Sequence, residues 1–177
     1  MSSKRKLESL ILSGLFLALA LLLPFLTGQL TQTGNALCPM HIPVLLCGFL
    51  CGPLYGMAVG FTAPFLRFLL FGMPPVLPIG LAMAFELAAY GLVSGVLYRL
   101  LPRKRPYIYV SLLAAMLTGR LVWGAVRVIL YGLGRSAFGW AAFIAGAFTN
   151  AVPGIILQIV LVPVLVELLE KTRGGQR

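Results

Sequence analysis

The sequence predicts an all-α membrane protein of six transmembrane helices with both termini in the cytoplasm. Three observations carry this expectation. Of 177 residues, 60% are hydrophobic and 10% charged; mean hydropathy is +0.99; and the basic residues fall in short clusters between apolar runs. So few polar side chains cannot cover a water-soluble globule of this size, which makes lipid the solvent. A hydrocarbon core roughly 30 Å thick needs about 20 apolar residues per span, so residues 1–177 form a single membrane domain with no room for a soluble one.

The elements follow in order. Lys4, Arg5 and Lys6 precede an apolar stretch, Leu7 to Thr27, long enough to span; with no clear small-residue cleavage site, it reads as an uncleaved first helix rather than a signal peptide. Gly28 to Pro39, rich in Gly, Thr, Gln and Asn, is too polar for lipid and forms an outer loop. His41 to Cys51 is apolar but short for a span, and Gly52-Pro53 turns the chain into a further apolar run ending at Phe71. The Pro-rich stretch Gly72 to Pro78 cannot be helical throughout. Helix 4 then runs from Ile79 to Leu101, the inner basic loop from Pro102 to Pro106, and helix 5 from Tyr107 to Leu133. Gly134 to Gly139 makes an outer turn, and Trp140 to Leu169 a long helix 6 containing Pro153 and Pro163.

Orientation comes from the basic residues outside these runs. Lys4, Arg5, Lys6, Arg99, Arg103, Lys104, Arg105, Lys171, Arg173 and Arg177 fall on one side and Arg135 on the other, which puts the first side in the cytoplasm. The net charge of +10 belongs to this pattern and not to nucleic-acid binding, since no soluble face interleaves bases with aromatics. Cys38, Cys47 and Cys51 make no disulfide framework and read as small packing residues.

Four ionisable residues lie in the membrane interior on this map: Arg67, Glu86, Arg120 and Arg127. Each is expensive there and needs a partner or a wet cavity. Arg120 and Arg127 share a face of helix 5 with Trp123 and Gly124 between them. Glu86 can neutralise one arginine while the others snorkel; equally, three arginines against one glutamate leave two positive charges that a small anionic ligand would complement, gripped by the planar guanidinium fork. His41, with Met40, stands where the outer loop enters helix 2, either as a hydrogen-bonded structural residue or as a cap on an outer-facing pocket. In the second role it could ligate a metal-bearing substrate, with Met73 or no protein residue as the second donor, because Met40 and His41 diverge too much to reach one metal. Asn150 and Gln158 share a face of helix 6 and offer uncharged hydrogen bonds, or simply join helices. Ser9, Ser13, Gly14 and Ala18 give helix 1 a small-residue surface for close helix approach.

The sequence contains no phosphate-binding loop, no HExxH, no GxSxG and no paired intramembrane carboxylates, so it encodes neither ATP hydrolysis nor a standard hydrolase. The stretches Met40 to Gly56, Phe71 to Pro75, Ala82 to Tyr98, Gly119 to Gly124 and Asn150 to Gln158 resemble the substrate-binding S components of energy-coupling factor (ECF) vitamin transporters over nearly the whole chain. The resemblance implies no enzyme but a binding subunit of the bacterial cytoplasmic membrane, which partners a coupling transmembrane subunit and two ATPase subunits. It also implies that the helix 1 surface docks to the coupling subunit; where the family commonly has an alanine-rich AxxxA pattern, this chain reads Gly14 to Ala18. Within the family the chain most resembles the subgroup of hydroxymethylpyrimidine or haem carriers, with pantothenate and folate carriers nearby. Haem is the expected substrate: its two propionates suit the arginines, and its iron could take His41 as an axial ligand. A self-sufficient channel or secondary transporter is the expectation from a different class.

Overall fold

The computed structural model describes residues 3–26, 38–102, 104–133, 139, 144, 146 and 151–174. Among the described residues no strand occurs. Among the described residues the main helices are α1 (Ser3–Leu26), α2 (His41–Cys51), α3 (Pro53–Phe71), α4 (Leu81–Leu100), α5 (Arg105–Leu133) and α6 (Val152–Gly174), with a kinked turn containing a π segment at Val76–Gly80 leading into α4. Five are long and apolar enough to cross a membrane: α1, α3, α4 with its π turn, α5 and α6. α2 is the exception: its 11 residues rise only about 16 Å at 1.5 Å per residue, half of a hydrocarbon core.

α2 is short because a Pro39-Met40 turn starts it and Gly52, at φ +108°, ends it. Every residue of α2 except Leu50 is buried, and α1, α3, α4 and α6 all pack on it. Three glycine-bearing helices meet here backbone to backbone. A Cβ on Gly56 of α3 would lie 2.7 Å from the Gly48 Cα of α2, one on Gly95 of α4 would lie 2.7 Å from the Gly48 carbonyl, and one on Gly91 of α4 would strike the Gly56 backbone. Small residues allow this approach, which gains dispersion contact where no hydrophobic effect drives helices together.

The pairings fix the helix directions. His41 lies beside Glu86 and Cys51 beside Arg99, so α2 and α4 run parallel; Gly56 meets Gly91 and Gly60 meets Leu87, so α3 runs against α4. Leu21 meets Arg67 and Phe25 meets Phe71, so α1 runs with α3. Arg105 at the start of α5 pairs with Glu167 in the last turns of α6 at 2.9 Å. Ser3 and Gly174 therefore both lie at the end of the bundle marked by Gly52, with exposed Lys4, Arg5, Lys6, Lys104, Arg105 and Lys171 at that end. The other end is marked by His41.

One expected boundary shifts. Pro153 sits in the first turn of α6, where a missing N–H costs no helical hydrogen bond, whereas Pro163 is inside the helix as expected. The Gly72 to Pro78 stretch is not helical throughout, as expected: it is irregular up to Pro75, and Leu77 is extended at φ −115° and ψ 138°. Asn150, Gly134 to Arg135 and the polar run up to Leu37 lie outside the described residues.

Candidate functional site

Glu86 stands in the second turn of α4, 2% exposed, and is the only buried acidic residue among the described residues. A lone carboxylate inside an apolar bundle must be compensated, and Arg120 of α5 does so: its Nη1 lies 2.9 Å from Glu86 Oε1, with both side chains almost fully buried. Gly119 makes the approach possible, because a Cβ there would lie 3.1 Å from the Glu86 carbonyl and 3.2 Å from the Tyr90 ring. His41, the first residue of α2, brings Nε2 to 3.4 Å from the same carboxylate oxygen, and its ring is likewise buried. Tyr90, one helical turn beyond Glu86, meets the His41 ring edge to face, with centroids 5.0 Å apart. Its hydroxyl lies in the field of both Glu86 and Arg120.

The fifth member is Cys38. Its carbonyl accepts the His41 backbone N–H at 3.0 Å, which opens α2, and its sulfur accepts a hydrogen bond from Arg120 Nη2 at 3.6 Å. Cys38 holds a φ of +46°, in the left-handed region that is uncommon for a residue with a Cβ. Burial pushes its thiol pKa up, and the neighbouring Arg120 guanidinium opposes that rise.

The predicted site residues divide sharply. His41, Glu86 and Arg120 come together. Arg67 is elsewhere: on α3, its Nη1 donates to the Leu21 carbonyl of α1 at 2.9 Å and its guanidinium lies over the Phe25 and Phe71 rings, at 5.3 and 5.9 Å. It ties α1 to α3, close to Pro24 inside α1. Arg127, half-buried, lies between the rings of Trp123 and Tyr131, one turn before and after it on α5, at 5.2 and 4.8 Å; Gly146 leaves room against the Trp123 ring. Met40 is buried in the core and Met73 is 54% exposed on the segment after α3. Among the described residues no group of three or more His, Cys, Asp or Glu could hold a metal.

Gln158 on α6 is fully buried, and neither the nitrogen nor the oxygen of its amide has a hydrogen-bond partner among the described residues. On α1 the small residues face opposite ways. Ser13 points into the bundle, where its hydroxyl accepts from the Cys47 thiol at 3.7 Å. Gly14 and Ala18 face outward, and a Cβ on Gly14 would meet nothing within 4 Å.

Sequence reasoning missed Tyr90, Cys38 and Gly119. Tyr90 was within reach, since it lies four residues from Glu86 on the same helical face. Cys38 was not, because a turn and not a periodicity carries it to Arg120.

Residues 8–166 match the family model of the ECF transporter, substrate-specific component. Neither the curated proteins nor the solved structures give a match. Members of the family are substrate-binding transporter subunits and not enzymes, and they work with an ECF coupling subunit and ATPases. The matched span takes in the buried cluster and nearly all of the helices around it, and on this ground the chain belongs to the family of substrate-specific components of ECF transporters.

Proposed function

We propose that the chain captures a small anionic cofactor on the outer side of the bacterial cytoplasmic membrane, for uptake driven by a coupling subunit and two ATPase subunits. The observation that carries this reading is the buried Arg120–Glu86–His41 cluster in a largely apolar bundle of this family. Six membrane crossings, with α2 as the short one, put the basic Gly52 end in the cytoplasm and the cluster in the outer half.

The arrangement supports a division of labour among the arginines. Arg120 is buried against Glu86, and Arg67 is buried against α1, whereas Arg127 is only half-buried. The Trp123 and Tyr131 rings hold its guanidinium in place through the faces, and the fork geometry of such a group suits a carboxylate or phosphate. We therefore place the ligand's anionic group at Arg127, beside Trp123. An organic anion such as pantothenate or folate asks for no rearrangement of the cluster. Haem asks for more: an iron ligated by Nε2 would have to draw His41 away from Glu86, and Met73 sits on the exposed segment after α3.

The test is uptake into liposomes by the chain alone and by the chain with its coupling subunit and ATPases. Uptake only in the complete assembly is the expected result. Concentrative uptake by the chain alone would establish the secondary-transporter reading instead. A shifted Soret band on adding haemin, lost in His41→Ala, would restore haem as the substrate.

A further inference from the structure

Every residue between Arg67 and Glu86 is apolar, glycine or proline. A connection that emerges into water carries polar side chains, as the Gly28 to Pro39 stretch does with its Gln, Thr and Asn. The connection from α3 to α4 carries none, and its apolar side chains are not turned inward. Phe71, Met73, Leu77 and Ile79 are 41%, 54%, 63% and 43% exposed, and they continue the exposed apolar surface of Leu69 and Leu70 at the end of α3 and Phe85 at the start of α4. Contiguous apolar surface of this kind marks contact with a partner or a membrane.

The backbone suits apolar surroundings as well. An irregular turn is costly there because its N–H groups lose water. Pro74, Pro75 and Pro78 have no N–H to lose, the Gly72 N–H is bonded to the Phe68 carbonyl at 2.7 Å, and the Gly80 N–H to the Pro75 carbonyl at 2.9 Å. The depth agrees. Arg99 of α4 meets the Cys51 carbonyl, next to the Gly52 turn that opens α3, so α3 and α4 share one level at the basic end. From that level the 19 residues of α3 rise about 28 Å, and α4 from Arg99 back to Leu81 about 27 Å, at 1.5 Å per residue. Both fall just short of a hydrocarbon core of about 30 Å, so the turn lies at its outer boundary and not beyond it, and any tilt of the helices lowers it further.

We propose that the turn from Gly72 to Gly80 is seated in the outer leaflet of the bilayer, with Met73, Leu77 and Ile79 among the acyl carbons nearest the phospholipid headgroups. The partner is lipid, and the seat is the same whichever solute the chain carries, so the inference goes beyond the transport reading. The hairpin of α3 and α4 is then anchored in lipid at the end from which Glu86 is presented.

Leu77→Trp and, separately, Met73→Trp test this at two exposed positions, each in the full chain reconstituted in phosphatidylcholine vesicles. The native Trp123 and Trp140 give a background that is measured on the unaltered chain and subtracted. We expect the added emission to be blue-shifted, quenched about twofold more by lipid brominated near the headgroup end of its acyl chains than by lipid brominated near the chain ends, and scarcely changed by acrylamide in the water. Quenching by acrylamide while the brominated lipids have no effect would put the turn in water. Stronger quenching from the chain ends would put it deep in the bilayer, and protection from both quenchers would mean that protein covers it, whether another copy of the chain or its own outer loop. Each of these overturns the proposal. The measurement needs neither ligand nor coupling subunit, so its failure is distinct from a failure of uptake by the complete assembly.

Discussion

Two regions at opposite ends of α2 are built on opposite means. At the Gly52 end, α2, α3 and α4 touch through Gly48, Gly56, Gly91 and Gly95, and the contact exists because side chains are missing. At the His41 end, α2, α4 and α5 are joined by Glu86, Arg120 and His41, and the contact exists because charged side chains need one another. The first region tolerates nothing larger and has nothing to exchange. The second is held by charged groups that can trade partners, as the ligand seat proposed above would require, whereas the first is a fixed frame.

The difference can be broken most completely at Gly91. Gly91→Leu puts a side chain into the Gly56 backbone, and we expect no monodisperse protein on size-exclusion chromatography; a well-folded variant would mean the helices are free to separate. Next comes the seat. Glu86→Gln leaves Arg120 buried without its counter-charge and should lower stability by about 3–5 kcal/mol, read as an earlier thermal unfolding in detergent; unfolding at the wild-type temperature would show that the pair adds nothing to the fold. Arg127→Gln should weaken an anionic ligand by about 1.5–3 kcal/mol, with Lys restoring part of it, measured by calorimetric titration. Gly14→Leu, on an outward face with open space around it, should change neither stability nor binding, and should abolish uptake only if that face meets the coupling subunit.

Helix positions were largely legible, because apolar runs, prolines and glycines act locally. The shortness of α2 was visible in Gly52 and Pro53, and the turn after Phe71 in the prolines that follow it. That Glu86 takes an arginine partner was legible, because burial in lipid leaves so few charge partners. What the sequence concealed was which arginine the carboxylate takes. Arg67, Arg120 and Arg127 are chemically alike, and only the angular position of each on its helix sends one to a carbonyl, one to Glu86 and one between aromatic rings. The same holds for Ser13, grouped by spacing with Gly14 and Ala18 but turned the other way, into the bundle against Cys47.

The parallel course of α2 and α4 has an electrostatic consequence. Two helices side by side in the same direction align their macrodipoles, an arrangement that repels, and repels more strongly in hydrocarbon than in water. α4 carries its own remedy. Its Glu86 lies at the N-terminal, positive end of α2, and its Arg99 donates from Nη2 to the Cys51 carbonyl at 3.4 Å, at the negative end. The spacing of those two residues on α4 matches the length of α2, so a short helix surrounded by protein is held in register by a charge of the right sign at each terminus. A substitution that removes the Glu86 charge would therefore also weaken the hold on the N-terminus of α2.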